Sequence, residues 1–280
     1  MAPHAVITGA GSGLGRNLAL ELVRRGYTVW GTAASATEID EVATATDGHA
    51  RLIVCDITDP DQVSRLAAEV TGATDGRADL LVSNAGTLTP GPLEAVPAAA
   101  SHREFAVNTL GVLNVVNAFL PALRLARGRI VQVSTMSVDF PSPFNGLSAA
   151  SKAAAEALMT VYRAELAASG VEVVVAVPGN MRTGGPARTA AAIDRARAGF
   201  TAEHERIYGA AFDRFALRIN SGQAGGLDAD EAARQIAELA ERSPAPLREP
   251  VGRDAADLIA FLQDATPAEI EARRRRALGD

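Results

Sequence analysis

A chain of 280 residues, 48% of them hydrophobic, is long enough to bury one large core. Its net charge of −6 argues against a nucleic-acid surface, and its single cysteine, Cys55, excludes an internal disulfide. That cysteine usage fits a reducing compartment, so we expect a cytoplasmic protein. The first strand pattern begins by His4 and no uninterrupted apolar run reaches about 18 residues, so we expect neither a signal peptide nor a membrane span.

The N-terminal half alternates strand and helix patterns. Short apolar runs predict strands at 4–8, 27–31, 51–55 and 79–83. An amphipathic helix follows the first strand as far as about Arg25, and a helix capped near Asp59 runs to Thr71. Residues 87–101 are rich in proline, glycine and alanine and predict a loop or short turn, after which one long helix runs from His102 to Arg127.

The C-terminal half continues this alternation and adds a lid. Strands are predicted at 129–134 and 171–177, with an edge strand at 249–252. The helical, glycine-punctuated segment 184–226 is placed to cover the carboxyl ends of the strands. Further helices are predicted at 228–242, 254–263 and 266–278. The alternation predicts an α/β fold, with a parallel sheet covered by helices on both faces, in a single domain spanning 1–280.

The turn after the first strand is rich in glycine and reads Thr8-Gly-Ala-Gly-Ser-Gly-Leu-Gly15. Glycine lets the backbone turn tightly and lets a ligand lie against it, while the following helix presents unpaired N–H groups to a phosphate. Because it stands between a first strand and a first helix, the turn predicts a dinucleotide pyrophosphate site. A glycine-rich loop without a ligand is the alternative.

Three other strand ends carry candidate contacts to a dinucleotide. An acid after the second strand would bind ribose hydroxyls and an arginine would bind a 2′-phosphate, but Thr32-Ala-Ala-Ser35 offers neither. The hydroxyls of Ser35 and Thr37, with Arg16 nearby, favour NADP slightly over NAD, unless they belong to a plain turn. Asp56 could accept a hydrogen bond from an adenine amine or cap a turn. Small residues in Asn84-Ala-Gly86 would let a flat ring pass close to the backbone.

The segment from Thr135 to Lys152 joins the fifth strand to a helix, which is where open α/β sheets hold their ligands. Lys152 is the only lysine in the chain, and wherever else a permanent positive charge occurs the residue is arginine. We therefore expect that this position needs a compact ammonium rather than a planar guanidinium.

Six motifs follow one another along roughly residues 4–260. They are Thr8-Gly-x-x-x-Gly-x-Gly15, Asp56, Asn84-Ala-Gly86, Asn108, Ala-Ser-Lys152 and Pro178-Gly-x-x-x-Thr183. Together they resemble the classical short-chain dehydrogenase/reductase family. The resemblance implies a Rossmann-type doubly wound sheet and an oxidoreductase that uses NADP or NAD. Arg248-Glu-Pro-Val-Gly-Arg253 is similar to steroid and retinol dehydrogenase-like members.

The resemblance also implies roles for individual residues. Lys152 would hold the nicotinamide ribose hydroxyls, Asn108 would support a water near Lys152, and Thr183 would bind the carboxamide with the backbone near Pro178. The implied cofactor-binding set is Gly9, Ser12, Gly13, Leu14, Gly15, Asp56, Ile57, Asn84, Ala85, Gly86, Lys152, Pro178, Gly179 and Thr183.

The chain departs from the family at the acid/base position. The family places a tyrosine four residues before the lysine, and Ser148 stands there. A hydroxymethyl group is a far weaker acid than a phenol and is too short to reach the same substrate oxygen. The family's substrate-binding serine corresponds to Thr135, which keeps a hydroxyl, with Ser134 just before it. Ser148 also has a structural interpretation, as the N-cap of the lysine helix.

Four hypotheses follow from this departure. The protein is a hydride-transfer enzyme acting on a hydrophobic ketone or secondary alcohol, with water or Tyr208 replacing the phenol. Alternatively, the scaffold binds NAD(P) for elimination, isomerisation or cyclisation, with Asp139, His204 and Lys152 as titratable candidates. Thirdly, it is a non-catalytic subunit of an active relative, pairing through helices near 103–127 and 148–168. Lastly, the serine was introduced to disable an enzyme.

We expect a small-molecule substrate and a homodimer or homotetramer, or a hetero-oligomer with an active relative. Nucleic acid, a membrane and a bound metal are not expected. The mostly apolar lid segment, rich in small residues, favours a hydrophobic carbonyl compound or a polycyclic one.

Overall fold

The computed structural model describes residues 2–182 and 185–276. Seven parallel strands form its central sheet in the order β3-β2-β1-β4-β5-β6-β9. The strands are β1 His4–Ile7, β2 Thr28–Ala33, β3 Ala50–Val54, β4 Leu80–Ser83, β5 Arg129–Val133, β6 Glu172–Pro178 and β9 Arg248–Val251. A separate parallel pair joins β7 Met181–Arg182 to β8 Leu227–Asp228.

Helices connect these strands and cover both faces of the sheet. They are α1 Gly13–Arg24, α2 Ala36–Ala45, α3 Pro60–Ala73, α4 Ala98–Phe105, α5 Gly111–Ala126, α6 Gly146–Leu166, α7 Gly185–Ala198, α8 Ala202–Ala224, α9 Ala229–Glu241, α10 Arg253–Asp264 and α11 Pro267–Arg276. A π-helical segment, Ala106–Leu110, joins α4 to α5.

The alternation of side chains along each strand builds two cores. Ala5 and Ile7 of β1 point to one face, where α1 and α9 bring Leu18 and Ile236. Val6 points to the other face, where α5 and α6 bring residues such as Phe119. Because both faces are buried, the strands are apolar throughout rather than alternating with polar residues. The predicted fold class and the predicted edge strand are confirmed.

The predicted loop at 87–101 is partly wrong. A 3₁₀ turn occupies Leu93–Ala95, and α4 begins at Ala98 directly after Pro97. Proline fixes its own backbone in a conformation compatible with a helix start, so it opens α4 rather than preventing it. The helix α2, which no pattern predicted, is capped by the Ser35 side chain accepting from Glu38 N–H.

The helical run Ala98–Ala126 is long and apolar enough to cross a bilayer by length and composition, and half of its most apolar window is buried inside the fold. Val112, Val115 and Phe119 lie in the core beneath the sheet. Burial against the sheet therefore accounts for the apolar character of this helix.

The segment predicted as a lid contains α7 and α8. An aromatic cluster attaches it to the loop before α6, since Phe144 contacts Phe212 and Phe215 edge-on. Ile193 of α7 is buried in the same cluster. This segment is thus held above the carboxyl ends of the strands by a small apolar core of its own.

Candidate active site

The glycine-rich turn takes the shape that a pyrophosphate site requires. Gly9 and Gly13 have φ of +66° and +55°, which glycine adopts without strain. A Cβ at Gly15 would lie only 2.1 Å from the Gly9 carbonyl oxygen, so the helix can pack on the turn only with glycine there. Ser12 is the N-cap of α1 but its side chain does not cap the helix, which leaves first-turn N–H groups facing the cleft.

Hydrogen bonds between Thr8 and Asn84 join this turn to the end of the neighbouring strand, β4. The Thr8 hydroxyl accepts from the N–H groups of Asn84 at 2.9 Å and Ala85 at 3.0 Å. The Asn84 side-chain amide donates to the Thr8 carbonyl at 2.9 Å. The two loops that would enclose the nucleotide are therefore held at a set separation.

A cleft of about 620 Å³ runs along these loops. Its size, its glycine turn and its small residues fit a dinucleotide. Of the predicted cofactor residues, it is lined by Gly9, Ser12, Gly13, Leu14, Gly15, Asp56, Ile57, Asn84, Ala85 and Gly86. Pro178 ends β6, and Gly179 lines the adjoining cavity. Thr183 lies outside the described residues.

Asp56 lies in the cleft within an ion pair. Its carboxylate accepts from Arg103 at 3.1 Å and from the Thr58 N–H and hydroxyl at 3.0 and 2.8 Å. Partial burial would raise the pKa of Asp56, but the hydrogen bonds from Thr58 and Arg103 outweigh it and lower the pKa. The carboxylate is thus ionised and keeps lone pairs for a donor such as an adenine amine.

Glu38 occupies the position where an adenosine ribose selector is expected. Its carboxylate accepts from the Ala34 N–H at 2.8 Å and lines the cleft. A Cβ at Gly11 would lie 2.2 Å from Glu38 Oε2, so the carboxylate rests against the glycine turn. The Ser35 hydroxyl, considered for a phosphate, instead caps α2.

Lys152 is buried at the floor of the site, with 8% of its surface exposed. Its ammonium donates to the Val133 carbonyl at 2.9 Å. Burial lowers the pKa of Lys152 to about 8, although Glu104 and Glu156 act to raise it. A Cβ at Gly86, which lines the cleft, would lie 3.3 Å from Lys152 Nζ, so the ammonium lies directly behind the cleft wall although Lys152 itself does not line the cleft.

Asn108 is fully buried in the π segment beside Lys152. Its oxygen accepts from the Thr87 N–H at 2.9 Å, and its amide donates to the Thr87 carbonyl and the Ser151 hydroxyl at 3.0 Å each. A Cβ at Gly86 would be as close to Asn108 Oδ1 as to Lys152 Nζ, at 3.3 Å. Asn108 is therefore at the site as predicted, and its support of a water stays a prediction.

Ser148 is not the N-cap of the lysine helix. Asn145 holds that position and α6 begins at Gly146, so Ser148 lies inside the first turn. Its side chain lines a cavity of about 660 Å³ together with Thr135 and Ser137. No hydrogen bond to the Ser148 hydroxyl is formed within the described part of the chain. Ser134 is excluded as a substrate contact because it is buried and donates to Glu156.

Tyr208, the expected substitute for the phenol, and Asp139 and His204, the titratable candidates for non-redox chemistry, are engaged elsewhere. The Tyr208 hydroxyl donates to Glu94 at 2.6 Å at an exposed position. Asp139 is paired with Arg248 at 2.7 Å, and His204 forms a capping box with Thr201 at the start of α8. None of the three lines the cavity beside Ser148. Lys152 is the titratable candidate that remains.

Sequence reasoning missed Glu104, Glu38 and the cavity arginines. Glu104 ends the polar run Ser101-His102-Arg103-Glu104 one turn before Asn108, so its sequence context resembles a solvated helix face and gave no signal of burial. Glu38 follows Ser35 by three residues, the spacing of a capping box. Arg218, Arg273 and Arg276 line the larger cavity, and only the packing of α8 and α11 brings them there.

Comparison with known proteins agrees with this geometry. The short chain dehydrogenase family profile matches residues 3–193. The uncharacterized oxidoreductase YbbO of Escherichia coli K12 is 35% identical over 184 residues, which cover 65% of this chain and 67% of YbbO. Human 11-beta-hydroxysteroid dehydrogenase type 2 is 36% identical over 183 residues, covering 64% of this chain and 45% of that protein.

Solved structures extend the likeness to the whole chain. A short-chain dehydrogenase from Streptomyces avermitilis has a TM-score of 0.79 at 27% identity, covering 99% of this chain and 98% of its own. One from Burkholderia cenocepacia J2315, in complex with NADP, has a TM-score of 0.75 at 26% identity, covering 98% and 97%. The fold and cleft define a dinucleotide-binding oxidoreductase. The chain belongs to the short chain dehydrogenase family.

Proposed function

We propose that this protein transfers a hydride between a nicotinamide dinucleotide and a hydrophobic ketone or secondary alcohol without a phenolic acid. The observation that carries this proposal is the placement of Lys152. The ammonium lies beside Gly86 of the nucleotide cleft, and the same helix presents Ser148 to the adjoining cavity. The fold thus keeps the cofactor side of the site and changes the group that faces the substrate oxygen.

The bound nicotinamide would supply or accept the hydride. The chain's own residues position the reacting oxygen and move its proton. The Thr135 hydroxyl accepts from the Ser137 N–H at 3.2 Å and donates a long hydrogen bond, 3.4 Å, to the Ser137 hydroxyl, which a substrate carbonyl would replace as the acceptor. Replacing a phenol by Ser148 leaves room for a water, through which the Lys152 ammonium donates. Its pKa of about 8 suits a proton donor near neutral pH.

We propose NAD rather than NADP as the cofactor. Glu38 offers a carboxylate at the ribose end of the cleft, where it would accept from ribose hydroxyls and repel a 2′-phosphate. This proposal reverses the slight preference for NADP drawn from Ser35 and Thr37, because the Ser35 hydroxyl is used by α2.

The cavity over Ser148 supports an amphiphilic substrate. Met136, Phe140 and Leu258 give it apolar walls, and Arg273 and Arg276 add positive charge from α11. Arg273 also stacks on Phe140 and Phe261, which keeps its guanidinium near the cavity. We propose a hydrophobic carbonyl compound that carries an anionic group.

We also propose that the protein is a homodimer and that it acts in the cytoplasm. Leu110, Leu125 and Val161 are exposed on the π segment, α5 and α6. An apolar surface on these helices fits the interface that the family resemblance implies. A second copy is the proposed partner, and a hetero-oligomer with an active relative is the alternative.

Fluorescence titration with NADH and NADPH, followed by a screen of ketones with and without a carboxylate or phosphate, tests the function. We expect NADH binding and slow carbonyl reduction by the native chain, and neither after Lys152→Met. Binding without turnover, with reduction appearing only in Ser148→Tyr, would favour the non-redox scaffold. No binding by either chain would leave a non-catalytic subunit as the better hypothesis.

A further inference from the structure

Glu104 is a buried carboxyl without a hydrogen-bonded cation. It has 0% of its surface exposed, and neither of its oxygens forms a well-aligned hydrogen bond within the described residues, although the Thr89 N–H and hydroxyl face it. Leaving such a group buried and unpaired costs folding free energy. A carboxyl in this state therefore needs an explanation beyond packing.

Its position in the fold points to Lys152. Glu104 lies one turn before Asn108 on the face of α4 that packs against α6, the helix of Lys152. Asn108 bonds to Thr87, and Glu104 faces Thr89 two residues further along the same loop. The ammonium of Lys152 is close enough to stabilise the ionised form of Glu104, and Glu104 in turn stabilises the ammonium.

The remaining charged groups around Lys152 are committed elsewhere. Glu156, one turn beyond Lys152 on α6, is paired with Arg248 at 2.8 Å and also accepts from Ser134. Arg103, the neighbour of Glu104 on α4, is paired with Asp56. Among the described residues that act electrostatically on Lys152, Glu104 is thus the carboxyl without an arginine of its own.

Burial acts on both members of this pair in the direction of neutrality. It raises the pKa of Glu104, opposed by Thr89 and Lys152, and it lowers the pKa of Lys152 to about 8. When burial brings the pKa values of two neighbouring groups closer together, a proton passes between them at little cost in free energy.

We propose that Glu104 is the proton-holding partner of Lys152, and that the two together replace the missing phenol as the source of the proton for the substrate oxygen. Glu104 acts through Lys152, so it is a positioning residue rather than one that touches substrate. The inference rests on the proposed oxidoreductase function.

The hydride and proton transfers of this route balance. During reduction the carbonyl carbon takes the hydride, the C=O double bond becomes single, and the oxygen takes a proton from the Lys152 ammonium through a water. The neutral amine then takes a proton from the Glu104 carboxyl through a second water, because the two side chains are not hydrogen-bonded to each other, and solvent reprotonates Glu104. Oxidation of an alcohol runs through the same transfers in reverse.

Glu104→Gln, made in the native chain and in Ser148→Tyr, tests this role. Glutamine keeps the size of the side chain and cannot release a proton. In the native chain we expect kcat for reduction to fall roughly 10- to 100-fold and the pH profile to shift. In the Ser148→Tyr background we expect a change below about threefold, because the introduced phenol supplies the proton. Equal losses in both backgrounds would show a structural role and overturn the proposal.

A second readout does not depend on turnover. The raised pKa of Glu104 means that its protonated form stabilises the fold at low pH and that this contribution is lost as pH rises through the folded pKa. The Tm of Glu104→Gln relative to the native chain should therefore rise with pH. Parallel Tm curves would overturn the proposal even in a chain without measurable activity.

Lys152→Met keeps the test valid if Glu104→Gln does not fold. The Lys152 ammonium lowers the pKa of Glu104, so removing it should raise that pKa further. The pH at which Tm changes because Glu104 ionises should therefore move to a higher value. An unmoved transition would show that the two groups are not coupled. If Tm responds as expected while neither the native chain nor Ser148→Tyr reduces any carbonyl, the proton pair stands and the oxidoreductase function fails.

Discussion

The Asn108 side-chain amide donates to the Ser151 hydroxyl at 3.0 Å and thereby joins the π segment to the turn of α6 that carries Lys152. Ser151 in turn donates to the Ser148 carbonyl at 3.3 Å. One chain of hydrogen bonds therefore sets the position of α6 relative to the loop at Thr87.

Asn108→Ala should destabilise the fold by about 1–3 kcal/mol, because it removes the three hydrogen bonds that the fully buried Asn108 amide makes to Thr87 and Ser151. Urea unfolding followed by circular dichroism measures the change. Asn114→Ala is the matched control, since Asn114 makes a single bond, to the Ile57 carbonyl, from the same helical run. A loss at Asn108 no larger than at Asn114 would contradict the structural importance of this link.

Ser148→Tyr should raise the rate of carbonyl reduction by about 10²–10⁴-fold, the usual contribution of a positioned general acid. The phenol would enter the cavity that Ser148 lines, beside Thr135 and one turn from Lys152. Initial rates of cofactor oxidation measure the effect. Ser148→Phe controls for filled volume, and a similar gain with phenylalanine would exclude proton donation as the cause.

The pH dependence of the native chain should follow Lys152. Because its pKa is lowered to about 8, the ammonium that donates in reduction is present below that value and lost above it. We expect kcat for reduction to fall, and kcat for alcohol oxidation to rise, as pH passes 8. Initial rates from about pH 6 to 10 measure both directions. Ser148→Tyr is the control, and an unchanged midpoint in that variant would argue that Lys152 does not set the native profile.

Glu38→Gln should improve NADPH binding about tenfold while NADH binding changes less, since it removes a negative charge facing the 2′-phosphate. Fluorescence titration gives the dissociation constants of both cofactors. Glu41→Gln, on an exposed part of α2, carries the same charge change away from the cleft. Equal gains from the two variants would indicate a general charge effect rather than selection at the ribose.

Arg273→Gln should raise KM about tenfold for carbonyl substrates with an anionic group and leave neutral substrates nearly unchanged, as expected when one charged contact is lost. Steady-state kinetics with a matched acid and amide pair measures this. Arg275→Gln is the control, because Arg275 is exposed on the same helix and lies near Glu271. A larger effect at Arg275 would move the anion site away from the cavity.

Periodicity and turn chemistry predicted most of the fold because they are local. Apolar runs bounded by glycine and proline marked the strands, and Gly9 and Gly13 take the positive φ values that a tight turn before a helix requires. The N-cap of α6 was mistaken because Ser148 and Asn145 are both good capping residues. Only the path of the loop, held by the Asn145 contact to Ser137 at 3.0 Å, decides which of them begins the helix.

The sequence by itself determined the α/β class and the absence of a phenol at Ser148, and it directed attention to the glycine turn and to Lys152, since each follows from residue identity or short-range spacing. The tertiary structure decided which acids matter. Tyr208, Asp139 and His204 are bonded to local partners, while Glu38 is brought to the cleft and Glu104 is buried near Lys152. Burial and neighbouring charge arise only when distant helices pack together, and these set the protonation of a side chain.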